Sequence, residues 1–226
     1  MPELDKIQIL EKSSIFSGLA KDDLARLAAI AAEKTFRPGE FIFWEGDAPD
    51  WFYIVHEGQV KVIKHSSLGR EFIIAFFAPG EMFGEVAVLE NRPYPASAQA
   101  VVKTTVLGIK SRDFLAFLAA HPAVVLRIIS ILGGRLRDAQ GRLRDLAGER
   151  VDQRLYTILL MLARKYGPTL PFTRKEIADM SGTTTETTIR VLSRLKAGKI
   201  IDSSRGKIVI CDTQKLRLLS EGPPQV

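Results

Sequence analysis

From Val125 to Leu146 apolar residues return at steps of four and three, as Val125, Ile129, Leu132, Leu136, Ala139, Leu143 and Leu146. A stripe with that period has to lie on one long helix, because a strand repeats every second residue. Arg135, Arg137, Asp138, Arg142, Arg144 and Asp145 occupy the other faces. Such a stripe can cover the chain's own core or meet a second helix. Its length, its narrowness and the flanking charge favour a two-stranded dimer seam. Gly133, Gly134 and Gly141 interrupt it, each costing about 1 kcal/mol relative to alanine in a helix. They imply a close approach to the backbone or a helix built to adjust.

What precedes this helix has another character. Leu19–Glu33 carries Leu24, Leu27, Ala28 and Ala31 at helical spacing. From Thr35 to Ile109 the chain reads as short β-branched and aromatic runs, Phe41–Phe43, Trp51–Val55, Val60–Lys64, Glu71–Phe77 and Thr105–Ile109. Turns fall at Pro38-Gly39, Gly46-Asp47, Glu57-Gly58, Gly69 and Pro79-Gly80. Short strands with such regular turns predict an all-β sandwich or barrel. Ser111 is placed to cap a following helix, and His121-Pro122 restarts the chain as the long one. Together these readings make the chain α+β.

Beyond the seam, a helix from Val151 to Lys165 is ended by Gly167-Pro168. Thr173-Arg-Lys-Glu176 is a capping box opening a helix from Arg174 to Met180. Ser181-Gly182 turns the chain, and Thr184 caps a second helix, Thr185–Lys196. Ile189, Leu192 and Leu195 read as its buried face, with Thr185, Glu186, Arg190 and Arg194 outward. Gly198 stops it, and Ile200-Ile201, a Ser-Ser-Arg-Gly turn and Ile208–Ile210 form a hairpin wing. This is helix-turn-helix spacing. The net charge of +6 sits here: Arg164–Ile210 holds ten Lys/Arg against four Asp/Glu, leaving 22 of each sign elsewhere. A local basic excess suits a polyanion partner, double-stranded DNA. Arg190 can pair bidentately with guanine, and Glu186 can accept from a cytosine amino group. Arg174, Lys175, Thr184, Thr187, Arg205 and Lys207 are placed for phosphates. The competing reading is a Glu186–Arg190 pair on a solvated helix, worth ~0.3–0.5 kcal/mol.

Four stretches, in order, carry a resemblance: Tyr53-Ile-Val-His-Glu-Gly58, Pro79-Gly-Glu-Met-Phe-Gly-Glu85, Pro95-Ala-Ser-Ala98 and Thr184-Thr-Glu-Thr-Thr-Ile-Arg190. Across residues 14–211 the sequence resembles the CRP/FNR family of bacterial transcription factors. The resemblance implies an N-terminal β-roll sensor (a double-stranded, cupin-like β-helix), a long dimerisation helix and a C-terminal winged helix-turn-helix. The expected division is 1–120, 121–148 and 149–226. It implies a homodimer on a palindromic operator, with RNA polymerase as a further partner and DNA binding gated by an effector. Thr185, Glu186, Ile189 and Arg190 become the base-reading set, with the preference of Ile189 left open.

The effector pocket implied by the resemblance comprises Gly84, Glu85, Ala96, Ser97, Gly134, Ala139 and Gln140. Members that bind cyclic AMP hold its phosphate with Arg-Ser, its ribose with Gly-Glu and its adenine with Thr-Ser. Here Gly84-Glu85 and Ser97 remain, whereas Ala96 replaces the arginine and Ala139-Gln140 the adenine pair. An anionic phosphate without its buried cation costs several kcal/mol, so the effector is expected not to be cyclic AMP. Iron–sulfur relatives use cysteines near the N-terminus, and the one cysteine here is Cys211. Haem stays open, with His56, His65 and His121 as candidate ligands, each with a structural role as alternative. Tyr94-Pro-Ala-Ser-Ala98 is similar to redox or nitrosative-stress regulators of the family.

Rival classes are weaker. A cyclic-nucleotide-type regulatory module without DNA binding would need an arginine at Ala96 and no helix-turn-helix. A cupin-like enzyme would need clustered metal ligands, which three scattered histidines do not provide, and no nucleophile–base set is visible. Met1–Leu10 lacks a signal-peptide layout, no run approaches the ~18 apolar residues of a membrane span, and a lone cysteine suits a reducing cytoplasm.

Overall fold

A computed structural model describes residues 3–66, 71–204 and 206–221, and it divides the chain into two compact units between Arg135 and Leu136. The expected turn at Gly69 lies outside the described residues. The first unit starts with helices α1 (Glu3–Lys12) and α2 (Lys21–Ile30). Strands β1 (Ala32–Phe36), β2 (Phe41–Phe43), β3 (Trp51–Glu57), β4 (Val60–His65), β5 (Glu71–Phe77) and β6 (Met82–Phe83) follow. A short helix α3 (Glu85–Glu90), strands β7 (Ser97–Ala100) and β8 (Thr104–Lys110), helix α4 (Ser111–Ala120) and the start of α5 (Pro122–Gly148) complete it.

The strands form two antiparallel four-stranded sheets, ordered β1-β8-β3-β6 and β2-β7-β4-β5. This is the jellyroll-like arrangement expected of a β-roll. Alternation along β3 explains why both sides of the first sheet are dry. Phe52 and Ile54 join a core with Leu107, Ile109, Phe114, Val124 and Ile128, beneath the helices. Tyr53 and Val55 face the other way, into a core with Phe43, Phe83, Tyr94 and Val106.

Three expectations need correction here. The helix expected to Glu33 ends at Ile30, because Ala31 turns extended and Glu33 pairs opposite Leu107 in β1–β8. Ser111 is the first residue of α4 rather than its cap, and the N-cap residue is Lys110, with Ser111 N–H donating to Asp50 O at 2.9 Å. The long helix is apolar on two sides. Val125 and Leu132 pack partly buried against the first unit's core, while Leu126 is 68% exposed, Ile129 59% and Leu136 60%. The apolar residues left exposed therefore run Leu126, Ile129, Leu136, Leu143 and Leu146, at steps of three and seven.

The second unit holds the rest of α5, then α6 (Val151–Tyr166), β9 (Thr169–Leu170), α7 (Arg174–Ser181), α8 (Thr185–Ala197), β10 (Ile201–Ser204), β11 (Lys207–Ile210) and α9 (Thr213–Glu221). The small sheet is ordered β10-β11-β9. Gly182 ends α7 in the left-handed region at φ 63°, the conformation that the turn needs and glycine adopts freely. No single helix among the described residues is long and apolar enough to cross a membrane.

Candidate functional site

In the second unit local chemistry sets the frame of α7 and α8. Thr173 Oγ1 accepts from Glu176 N–H at 3.2 Å, and a Glu176 carboxylate oxygen accepts from Thr173 N–H at 2.7 Å, closing the capping box. Thr184 Oγ1 accepts from Thr187 N–H at 3.2 Å and starts α8. Arg154 donates to Ser181 O at 3.2 Å, tying α6 to the end of α7. Thr188, Val191, Leu192 and Leu195 are the buried side of α8, whereas Ile189 is 38% exposed. The expected buried face is thus corrected at one position. A residue four before Leu192 and seven before Leu195 lies inward, which is Thr188, and Ile189 falls one step round.

Glu186 and Arg190 are exposed on the outer side of α8, and Thr185 and Thr187 are half-buried. The Glu186 carboxyl is held below the usual glutamate range, first by its own backbone N–H and then by the Thr184 hydroxyl. No ion pair joins Glu186 to Arg190 among the described residues, so the solvated-pair reading has no contact behind it. Arg174 and Lys175 stand exposed in the first turn of α7, with Lys175 Nζ 2.6 Å from Asp179. Lys207 is exposed at the start of β11, and Arg205 lies outside the described residues.

In the first unit Gly84 sits at φ 80°, and a Cβ there would meet the Tyr94 ring at 3.3 Å. Next to it Glu85 is 3% exposed, and burial pushes its carboxyl up against the pull of Arg135. By sequence position Arg135 is one of the charged residues flanking the apolar stripe of the long helix. Its guanidinium donates to Glu85 Oε1 at 2.6 Å and to Met82 O at 2.7 Å, and lies 4.7 Å from the Phe77 ring centroid. Glu85 Oε2 is buried without a hydrogen-bond partner. Only its place beside the expected pocket residue Gly134 hinted at this role. Ala96 and Ser97 are buried, and Ser97 Oγ accepts from Glu45 N–H at 2.9 Å. Phe43 stacks on Tyr94 at 3.7 Å, and burial pushes the Tyr94 phenol up to about 12. Gly134 belongs to the first unit, Ala139 (half-buried) and Gln140 (exposed) to the second.

The first unit's Gly84, Glu85, Ala96 and Ser97 match the chemistry of a cyclic nucleotide only in part. The free oxygen of Glu85 suits a sugar hydroxyl, but the Ala96 methyl offers no charge to a phosphate. The histidines are dispersed: His56 at a bulge in β3, His65 exposed at the end of β4, and His121 with Nδ1 2.8 Å from Phe117 O and Nε2 3.3 Å from Asp23. Both His121 nitrogens are thus occupied. Among the described residues no group of three or more His, Cys, Asp or Glu could hold a metal ion.

The cyclic nucleotide-binding domain family matches residues 33–121, and the Crp-like helix-turn-helix domain family matches residues 153–219. The structure of FixK2 from Bradyrhizobium japonicum is 30% identical, with a TM-score of 0.76 over 84% of this chain and 97% of that one. The chain belongs to the CRP/FNR family of DNA-binding transcriptional regulators. Among CRP/FNR relatives, the Cyclic AMP receptor protein of Thermus thermophilus is 29% identical over 94% of this chain and 99% of its own. The nitrogen fixation regulation protein FixK of Azorhizobium caulinodans is also 29% identical, over 92% of this chain and 88% of its own. A relative from Mycobacterium tuberculosis, 27% identical over 92% of this chain and 97% of its own, is named a CRP-like cAMP-activated global transcriptional regulator, and the helix-turn-helix match sets aside a module without DNA binding.

Proposed function

We propose that this CRP/FNR protein is a homodimer that binds a palindromic operator through α8, acts on RNA polymerase, and answers to an effector other than cyclic AMP. The observation that carries the reading is the outer side of α8, where exposed Glu186, Ile189 and Arg190 share one face behind a Thr184 cap. Thr185, Glu186, Ile189 and Arg190 are the base-reading set. Arg174, Lys175, Thr184, Thr187, Arg205 and Lys207 meet phosphates, which fix register without reading sequence.

The dimer seam is the uncovered stripe of α5. Leu126, Ile129, Leu136 and Leu143 leave apolar side chains in water at heptad spacing, and a second copy of the same helix is the partner that such spacing fits. Leu136→Asp with Leu143→Asp should give a monomer in light scattering and abolish the shift of a palindromic duplex. A dimer that persists would refute the seam. The division of labour is a sensor in residues 1–120, the dimerisation helix in 121–148 and the DNA-binding domain in 149–226.

The effector site draws on Gly84, Glu85, Ala96, Ser97 and Gly134 of the first unit. Relatives from Thermus thermophilus and Mycobacterium tuberculosis are named for cyclic AMP, yet the missing cation at Ala96 supports another ligand here. Titration calorimetry with cyclic AMP should show no heat, and micromolar binding would overturn this part alone. A visible spectrum of the purified protein tests haem: a Soret band would bring His56 and His65 forward as ligands.

A further inference from the structure

Thr188 and Ile189 are consecutive, and their polarity is inverted with respect to packing. Thr188 is fully buried, and its Oγ1 has no hydrogen-bond partner. Ile189 is 38% exposed on the opposite side, among Thr185, Glu186, Arg190, Ser193 and Arg194. Exchanged, the hydroxyl would reach water and the isoleucine would join Val191, Leu192 and Leu195. Both departures cost stability, one as an unsatisfied buried hydroxyl and the other as apolar surface left wet. Packing within the chain therefore gives no reason for an isoleucine at position 189.

A reason comes from outside the chain. Glu186, Ile189 and Arg190 stand at i, i+3 and i+4, one patch on the face that a recognition helix turns to base edges. Isoleucine has neither donor nor acceptor, so it cannot read the hydrogen-bonding pattern of a base pair. The major groove offers one apolar group, the C5 methyl of thymine. We infer that Ile189 reads a thymine C5 methyl in each half-site. The inference rests on α8 being the base-reading helix, and it fills the one position whose preference residue chemistry left open. Cytosine at that place presents an amino group and no methyl, so thymine is preferred over cytosine without any hydrogen bond.

The test begins with an operator selected by the full-length protein from random duplex DNA. Each thymine is then replaced singly by deoxyuridine, which deletes the methyl and keeps every hydrogen-bonding group. Affinity is read by fluorescence anisotropy at one salt concentration. One symmetry-related pair of thymines should be sensitive, with wild-type binding weakened about fourfold per methyl, the worth of one buried methyl group. Ile189→Ala should bind the thymine and deoxyuridine operators alike, and Ile189→Val should retain part of the discrimination. At the sensitive position 5-methylcytosine should bind better than cytosine. Matching circular dichroism melts establish that the variants fold.

The inference falls if no thymine is methyl-sensitive, or if the sensitivity persists in Ile189→Ala. It also falls if Ile189→Ala weakens all duplexes equally, which would place the side chain against the sugar-phosphate backbone. A wild-type protein that selects no sequence overturns the base-reading helix itself. A protein that selects one, loses selectivity as Arg190→Ala and ignores deoxyuridine overturns only the role of Ile189.

Discussion

Two glutamates in the first turn of their helices show how differently the two units treat the same side chain. Glu85 opens α3 in the first unit, where burial raises its carboxyl and Arg135 pairs with one oxygen. Glu186 lies in the first turn of α8 in full contact with solvent, and its backbone N–H and the Thr184 hydroxyl lower it. Helix position is alike in both, so solvation decides. Inside the first unit a carboxylate is an anchor that must be neutralised. On the outer side of α8 it remains an open acceptor.

Removing the anchor's partner should break that contrast most severely. Arg135→Ala leaves Glu85 buried without its cation, and about 3 kcal/mol of stability should be lost, the low end for a buried pair because Arg135 is itself partly exposed. Urea unfolding of the full-length protein measures it, and adding Glu85→Gln should restore part of the loss. A cost below about 1 kcal/mol, the surface-pair range, would show that the pair anchors nothing. On the exposed side Arg190→Ala should leave stability unchanged, yet weaken operator binding by about 1–3 kcal/mol and relax discrimination at one base pair. Lys207→Ala should weaken all sequences alike and lower the salt slope by about one.

A smaller gain is expected within α8. Thr188→Val removes a buried hydroxyl without a partner, and about 1 kcal/mol of added stability should appear as a higher denaturant midpoint. An unchanged midpoint would mean that the hydroxyl is satisfied in solution. The smallest effects are in pH dependence, where the two glutamates should act with opposite sign. Glu85 has its folded carboxyl raised above the ordinary 4.5, so its contribution is complete below that value and is lost as pH rises through the raised one. Glu186 is lowered, so its contribution is present above 4.5 and is lost as pH falls through the folded value. Stability profiles of Glu85→Gln and Glu186→Gln should therefore flatten on opposite sides of 4.5, and identical profiles would erase the distinction.

The α7–α8 unit was legible because its signals are local. Thr173 and Glu176 are three residues apart, as are Thr184 and Thr187, and Gly182 lies between the two helices. Arg135 was not legible, since its partner Glu85 is fifty residues away and nothing in either neighbourhood announces the other. Strands β1 and β7 were missed for the same reason: Ala32–Phe36 and Ser97–Ala100 become strands through what they pair with. In α5 the heptad arithmetic found a stripe but could not say which side the chain covers itself. Val125 and Leu126 are adjacent, and only the packing of Val124 and Ile128 beneath them shows that Leu126 faces outward.

The pairing of Ala32 with Gly108 has a kinetic consequence. Closing the first sheet requires strands at the two ends of the β-roll to meet, and such long-range pairing is slow compared with helix formation between near neighbours. In the second unit α6, α7 and α8 pack on their sequence neighbours, and α9 packs back on α6 across a shorter span than β1 to β8, so this unit should complete folding while the first unit's outer strands are still searching. Refolding after dilution from denaturant should then run in two phases, with the β1–β8 closure as the later one.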